Sequence, residues 1–178
     1  MKKISLLLIG LLLLTGCMFR MTPSEKVEEF LNSYIKNDKE IMKELDGLVE
    51  STKMTEKQQK RYKEIIKDEY SSIKYEIKKE TINKEGTKAK VKVDITVKDL
   101  YAPTLEATKE LENNPQRFYT DGLYDEAKYM DYTLELLEKS KDKKDYTITI
   151  NLTKENNRWQ IDELDNDTLS KIHGIFAY

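Results

Sequence analysis

A run of alternating residues from Thr87 to Val97 constrains the fold of this chain more than any other segment. Its apolar side chains point one way and its polar side chains the other, which is the pattern of a strand with one buried face. The apolar set is Ala89, Val91, Val93, Ile95 and Val97, and the polar set is Lys88, Lys90, Lys92, Asp94 and Thr96. Such a strand needs a neighbouring strand and a cover over its apolar face.

The neighbouring strand is predicted just upstream, where Ile73, Tyr75 and Ile77 repeat the alternation. Residues 83–86 read Asn-Lys-Glu-Gly between the two strands. A three-residue loop over 84–86 would put Gly86 at a positive φ, which glycine adopts without strain. The register that this loop predicts is Ile77 with Val93, Tyr75 with Ile95 and Ile73 with Val97. All the apolar residues of the hairpin then share one face.

A second hairpin is predicted near the end of the chain. Its first strand carries Tyr146, Ile148, Ile150 and Leu152 in alternation with polar residues. Residues 154–157 return the chain into residues 158–162, which read Arg-Trp-Gln-Ile-Asp. A four-residue loop pairs Leu152 with Trp159 and Ile150 with Ile161, again on one face.

The remaining segments have the periodicity of helices that cover these strands. Three helices precede the first hairpin, and their starts are marked by Thr22 with Glu25, by Asp38, and by Thr55 with Gln58. An insertion from Asp99 to Lys144 contains a short helix from Pro103 to Leu111, a loop over 118–123 and a strong helix over 125–139. Asp165 or Asp167 caps a final short helix that carries Leu169, Ile172, Ile175 and Phe176. Helices segregated against antiparallel strands predict an α+β fold, with a curved sheet of two hairpins.

Composition narrows the chemistry that the chain can perform. Charged residues make up 36% of the 178 residues and hydrophobic residues 38%, and the apolar ones are periodic, as in a single folded domain. Both signs of charge are finely mixed along the sequence without a basic stripe, which argues against nucleic acid as a partner. One Cys and one His exclude an internal disulfide and the common zinc sites. We predict no cofactor and no metal site.

The N-terminus has the order of an export signal. Lys2 and Lys3 precede an apolar segment over 4–14, which is too short for a usual membrane span. Leu14-Thr15-Gly16-Cys17 follows and resembles the lipobox of bacterial lipoproteins. The resemblance implies cleavage after residue 16 and a diacylglyceryl group on the Cys17 thiol. We therefore expect a signal peptide over 1–16, a tether over 17–21 and a single domain over 22–178, held at the outer face of the plasma membrane.

The tether constrains where such a domain sits. Residues 18–21 separate Cys17 from the first helix signal, and fully extended they reach on the order of 15 Å. The domain is thus expected close to the bilayer. Loss of residues 1–16 removes Lys2 and Lys3 and no acid, which leaves 29 basic against 33 acidic residues and a net charge of −4.

The predicted order of elements resembles the cone-shaped, cystatin-like folds of the nuclear transport factor two-like superfamily, as seen in small Gram-positive lipoproteins of unassigned function. The resemblance rests on the first helix over 27–35, the break at Asn37-Asp38 and the closing strand over 158–162. The insertion from Asp99 to Lys144 departs from that pattern. The superfamily includes isomerases and dehydratases that use a pocket carboxylate, Tyr or His, but no local motif here matches theirs.

Aromatic residues supply the candidate ligand site. Tyr75, Tyr129, Tyr132 and Trp159 could line an apolar pocket with polar tips, a common composition of ligand sites. Packing in the core or at its rim is the competing interpretation of the same residues. Asp94 lies on the lysine side of its strand, where pairing with a lysine is expected. His173 is the single histidine, with no catalytic Ser or Cys partner in view, and is interpreted as a surface or helix-end histidine.

These observations favour a non-catalytic binding or interaction module, anchored to the membrane through Cys17. Its partner would be a small ligand, a peptide or a neighbouring membrane protein. One alternative is a small enzyme of the ketosteroid-isomerase type with a pocket carboxylate beside Tyr75, Tyr129 or Tyr132. Another is a structural surface lipoprotein with no pocket.

Overall fold

The structure is a computed structural model that describes residues 21–178. It has the predicted α+β class, with six α-helices, a four-stranded antiparallel sheet and a small two-stranded sheet in that part of the chain. The predicted signal peptide and Cys17 lie outside the described residues. The order of three helices, two strands, a helical insertion, two strands and a short helix is confirmed.

Four of the helices begin directly after a residue that was predicted to cap them. Thr22 with Glu25 and Thr55 with Gln58 form complete capping boxes, in which each side chain accepts a hydrogen bond from the backbone N–H of the other residue. Asp165 caps the last helix, whereas the side chain of Asp38 makes no capping bond. The helices are α1 Pro23–Ile35, α2 Lys39–Glu50, α3 Glu56–Ser72, α4 Tyr101–Asn113, α5 Glu126–Lys139 and α6 Asn166–Ile172.

The strands of the main sheet are β1 Lys74–Ile82, β2 Lys88–Lys98, β5 Lys143–Glu155 and β6 Arg158–Ile161. They are ordered β1-β2-β5-β6, so β1 and β6 are the edge strands. The small sheet pairs β3 Tyr119–Thr120 with β4 Leu123–Tyr124. Both predicted hairpins are present, and the strands that end one and begin the other, β2 and β5, pair along their whole length.

The first hairpin follows the predicted register only in part. Tyr75 pairs with Ile95 and Ile77 with Val93, and the ladder begins at Lys74, one residue after Ile73. The three-residue loop is wrong, because a bulge at residue 78 shifts the register and Ile82 pairs with Ala89. Gly86 has the predicted positive φ, of 69°.

The bulge has a physical consequence at the start of α1. It moves Glu80 to the helix side of β1, where its carboxylate accepts bonds from the backbone N–H of Ser24 at 2.9 Å and the Ser24 hydroxyl at 2.6 Å. An anionic group at a helix N-terminus is stabilising. The uninterrupted alternation that we predicted would have turned Glu80 away from α1.

The second hairpin is tighter than predicted. Leu152 pairs with Ile161 and Lys154 with Trp159, so the four-residue loop and the pairing of Leu152 with Trp159 are wrong. Asn156 and Asn157 form a two-residue turn with φ of 48° and 65°. Asparagine tolerates this left-handed conformation, and such a turn matches the twist of the strands. The shift is by two residues, so Trp159 keeps its predicted face and is buried.

The insertion contains more structure than predicted. Its first helix, α4, starts two residues before Pro103 and ends two residues after Leu111. The segment interpreted as a loop over 118–123 includes the end of a 3₁₀ turn and the β3–β4 pair, which turns at Asp121 and Gly122. The final helix, α6, ends at Ile172, so the predicted members Ile175 and Phe176 lie beyond it.

The core lies between the helices and one face of the main sheet, called here the inner face. All five predicted apolar residues of β2 are inward, from 0% to 3% exposed. Side chains of α1, α2 and α3 cover them, together with Leu134 and Leu137 of α5 and Ile172 of α6. Burial of this apolar set is the main source of stability in the domain.

Candidate functional site

The inner face of the sheet is filled by side chains. Val91, Val93 and Val97 are fully buried on β2, and Ile150 and Leu152 are fully buried on β5. The two grooves described below are lined mainly by residues of the opposite face, and each also includes inner-face positions, namely Tyr75, Ile95 and Tyr146 in one and Ala89 and Leu152 in the other. This face therefore acts as a core wall between strands and helices.

Two of the predicted site tyrosines, Tyr129 and Tyr132 of α5, lie together. Their rings contact Phe118 at centroid distances of 5.4 and 5.6 Å, and Phe118 is only 1% exposed. The Arg117 guanidinium lies 4.2 Å from the Tyr132 ring centre, in cation–π geometry. These contacts hold the 3₁₀ turn of the insertion against α5.

The other two predicted site residues lie on opposite edges of the sheet. Tyr75 is on β1, paired with Ile95, and Trp159 is on β6, paired with Lys154. The Lys154 ammonium lies 5.2 Å from the Trp159 ring centre. The structure thus brings Tyr129 and Tyr132 together and spreads Tyr75 and Trp159 apart, and a ligand-binding role for the four stays a prediction.

A buried carboxylate that the sequence analysis did not single out lies at the end of α3. Glu69 is 0% exposed, and its Oε2 accepts a bond from the backbone N–H of Lys98 at 2.8 Å. Its Oε1 has no partner among the described residues. Burial raises the pKa of Glu69 to about 7, and the Lys98 N–H opposes that rise only in part. The sequence signal was available, because Glu69 continues the apolar stripe of Tyr62, Ile65 and Ile66.

A glycine closes over this carboxylate. Gly174, with φ of 68°, lies so close to β2 that a Cβ added to it would be 2.1 Å from the Lys98 carbonyl oxygen and 3.4 Å from Glu69 Oε1. The Gly174 carbonyl accepts the backbone N–H groups of Leu100 at 2.8 Å and Tyr101 at 3.1 Å. The C-terminal segment is thereby fixed to the end of β2.

The single histidine belongs to the same region of the fold. His173 is the C-cap of α6, and its Nδ1 shares a hydrogen bond of 2.8 Å with the Tyr70 hydroxyl. The Tyr34 ring packs edge-on against both. Burial lowers the pKa of His173 and raises that of Tyr34 to about 12, so the neutral forms are favoured. The helix-end interpretation of His173 is confirmed, although the ring is packed rather than free at the surface.

A second buried acid ties down the last residue. Asp99 is 2% exposed, and its two oxygens accept the Ala102 N–H at 3.0 Å and the Tyr178 hydroxyl at 2.6 Å. The Lys144 ammonium lies 3.6 Å from the Tyr178 ring centre. Asp99 thus caps the first turn of α4 and holds the chain end, and both of its oxygens are engaged.

Glu69, Tyr70 and Asp99 are buried and His173 is half-buried, and a hydrogen bond joins Tyr70 to His173, whereas Glu69 and Asp99 bond to other groups. A carboxyl with a pKa near neutrality can exchange a proton at physiological pH. Glu69, however, lines neither of the grooves described below, and its hydrogen bonds are to Lys98 and Ser72. Glu69 is therefore placed at a packed position and not at the wall of either groove.

The opposite face of the sheet, called here the outer face, is open. The side chains that β2 and β5 place there are all exposed or half-buried. One groove on this face, of about 460 Å³, is lined by residues that include Asp94, Thr96, Asp145 and Thr147. Thr96 donates to Asp145 and Thr147 to Asp94, each at 2.6 Å. Lys78 lies 3.7 Å from Asp94, which confirms the predicted pairing of that acid with a lysine.

A second groove, of about 440 Å³, lies towards the β1–β2 turn and is lined by residues that include Lys88, Lys90, Asn151 and Asp162. The sheet assembles four lysines on this part of the outer face. They are Lys79, Lys88, Lys90 and Lys92, called here the lysine cluster. The alternation of the sequence already places Lys88, Lys90 and Lys92 on one face of β2, and strand pairing adds Lys79 to them.

No group of three or more His, Cys, Asp or Glu in residues 21–178 is placed to hold a metal ion. Nor does any helix in this range have the length and apolarity needed to cross a bilayer. No protein-family description matches the chain, and no curated protein or solved structure is significantly similar to it.

Proposed function

We propose that this chain is a lipid-anchored, extracytoplasmic interaction module without catalytic activity, which presents the outer face of its sheet to a partner. The anchor is the lipidated Cys17 of the lipobox Leu14-Thr15-Gly16-Cys17. The observation that carries the proposal is the contrast between the two faces of the sheet. The inner face is filled by apolar side chains, whereas the outer face is open, polar and grooved.

The outer face has the composition of a recognition surface. Its hydroxyl and carboxylate groups stand on rigid paired strands, and the grooves run between them. Preorganised polar groups on strands favour specific binding, because little ordering is needed when the partner arrives. A peptide or a neighbouring membrane protein fits such a wide, shallow surface better than a small molecule, which prefers an enclosed apolar cavity.

The likeness to the cone-shaped, cystatin-like folds belongs to the same proposal. The order of elements, with helices on one face of an antiparallel sheet, supports it. An isomerase-like function would need a carboxylate in an open pocket beside Tyr75, Tyr129 or Tyr132. Glu69 has the raised pKa expected of such a group, but its partners are Lys98 and Ser72. The larger groove contains Tyr75 together with Glu76, Asp94 and Asp145, and those acids are engaged by Lys78, Thr147 and Thr96.

Crosslinking in intact membranes tests the proposal. Wild type is compared with the outer-face variant Glu76→Lys/Asp145→Lys, whose two positions are exposed and line the larger groove. We expect this variant to lose the crosslinked partner. The double variant Tyr129→Ala/Tyr132→Ala is the comparison for the aromatic site and is expected to keep it.

The opposite pattern would contradict the proposal. If the partner is lost only from the tyrosine variant while its far-ultraviolet circular dichroism is native, the aromatic residues form the binding site. Expression level and membrane content are measured for each variant, so that loss of a crosslink is not confused with loss of protein.

A further inference from the structure

The lysine cluster concentrates positive charge on one part of the outer face, and the acids that border it are Asp94, two residues after Lys92 on the same face of β2, and Asp162 in the groove. Lys79 on β1 is paired directly with Lys92 on β2, and Lys90 and Lys88 follow on the same face of β2 at intervals of about 7 Å. All four side chains are exposed, and none forms an ion pair in residues 21–178. Lys78 and Lys98, in contrast, each contact an acid.

This arrangement weakens the sheet. Like charges directly opposite each other across two strands are destabilising. The positions next to the cluster on β5 and β1 are neutral, with Thr149 opposite Lys92, Asn151 opposite Lys90 and Thr81 also opposite Lys90. One acid, Asp162, lines the groove with two of the lysines. Natural proteins break a local rule of this kind mainly at functional sites, and lysines that form no ion pair are free to meet an external anion.

The cluster lies at the end of the domain where the chain comes from the membrane anchor. Ser24, in the first turn of α1, is bonded to Glu80, and Glu80 is the residue next to Lys79. Residues 18–21 give the tether a reach on the order of 15 Å. Two apolar side chains at this end, Met21 and Ile82, are 43% and 44% exposed. Ile82 pairs with Ala89, so it lies at the same end of the domain as the lysine cluster but on the other face of the sheet.

We propose that the lysine cluster docks on anionic lipid headgroups of the membrane that holds the anchor, and so fixes the orientation of the domain. This inference rests on the proposed lipid anchoring through Cys17. The mature chain carries a net charge of −4, so the attraction to anionic lipid comes from the lysine cluster and not from the charge of the whole domain. The same net negative charge disfavours the binding of nucleic acid, because its phosphates would face the acidic surface as a whole and not the lysine cluster alone.

The test uses the mature lipoprotein, reconstituted in vesicles of phosphatidylcholine alone or with about a third phosphatidylglycerol. Thr149→Cys places a fluorescent donor on the outer face opposite Lys92, and acceptor lipids report its distance from the headgroups. We expect energy transfer to rise roughly twofold or more with the anionic lipid, and the rise to disappear at high salt.

Charge reversal identifies the face responsible. Lys90→Glu/Lys92→Glu should abolish the rise, whereas Lys57→Glu/Lys60→Glu, an equal charge change at exposed positions of α3, should leave it intact. Equal transfer in neutral and anionic vesicles, or equal loss in both double variants, would overturn the proposal.

Flotation separates failure of the docking face from failure of the anchor. Binding to neutral vesicles reports the lipid on Cys17 alone. If the protein floats with neutral vesicles but energy transfer from the probe does not change when anionic lipid is added, only the docking inference fails. If the protein does not float with neutral vesicles, the lipid anchor is wrong. Docking would then still predict that the protein floats with anionic vesicles at low salt, and that Lys90→Glu/Lys92→Glu abolishes this flotation. Absence of that flotation would overturn docking as well.

Discussion

The Glu69 carboxylate accepts a bond of 2.8 Å from the backbone N–H of Lys98, which joins the end of α3 to the end of β2 inside the domain. Its second oxygen is buried without a partner among the described residues. An ionised carboxylate in that position would be only partly compensated, which is the physical reason that burial raises the pKa of Glu69 to about 7.

The raised pKa predicts a pH-dependent stability that Glu69→Gln should remove. Between the ordinary value of 4.5 and the folded value of about 7, the folded chain keeps a proton that the unfolded chain releases. Stability therefore falls as pH rises through this window, by up to about 1.4 kcal/mol per pH unit, and levels off above it. We expect Glu69→Gln to gain about 2 kcal/mol relative to wild type between pH 5 and 8 in urea unfolding of residues 22–178.

Glu64→Gln, on the exposed side of the same helix, is the matched control and should leave the pH profile unchanged. Identical slopes for wild type and Glu69→Gln across this pH range would contradict the assignment of a raised pKa to Glu69.

The close approach of Gly174 to Lys98 predicts a severe effect of one added methyl group. Gly174→Ala meets the Lys98 carbonyl at 2.1 Å and forces alanine to a φ of 68°. We expect a loss of more than about 2 kcal/mol. Gly47→Ala is the control, because Gly47 lies within α2 with nothing within 4 Å of the added Cβ. It should gain about 0.5–1 kcal/mol from helix propensity. Thermal unfolding of the two variants measures this, and shifts of the same sign would refute the packing described.

The alternation of inner and outer side chains along β2 predicts very different effects of substitution at two neighbouring residues. Val93 is 0% exposed and Lys92 is exposed on the outer face. Val93→Asp buries an unpaired acid and should lower the free energy of unfolding by about 3 kcal/mol or more, whereas Lys92→Asp should change it by only about 0.5 kcal/mol or less. Denaturant midpoints for the two variants provide the comparison. Similar midpoints would mean that the inner and outer faces have been exchanged.

The sequence predicted the faces of the strands better than their ends. Alternation over Ala89 to Val97 has one solution that buries its apolar residues, and that solution is the observed one. The bulge at residue 78 was not predictable in this way, because it depends on Glu80 reaching Ser24, 56 positions away. The turn at Asn156 and Asn157 did carry a local signal, since asparagine favours positive φ.

The candidate site was harder to predict for a related reason. Aromatic residues at helical spacing do not reveal whether they line a cavity or pack on a neighbour, and Tyr129 and Tyr132 pack on Phe118. Glu69 stands on an apolar stripe, but its partner Lys98 is 29 positions away. The lysine cluster likewise needs strand pairing to bring Lys79 to Lys92. Contacts made across the fold are invisible to local patterns.

The central claim, that the domain is held on the membrane by a lipid on Cys17, is tested most directly by cell fractionation. The full chain and its Cys17→Ser variant are expressed, and the membrane and soluble fractions are quantified. We expect wild type in the membrane fraction, with a large part of Cys17→Ser released, because two acyl chains give stable attachment and the variant carries none. Equal retention of both proteins in the membrane fraction would contradict the account.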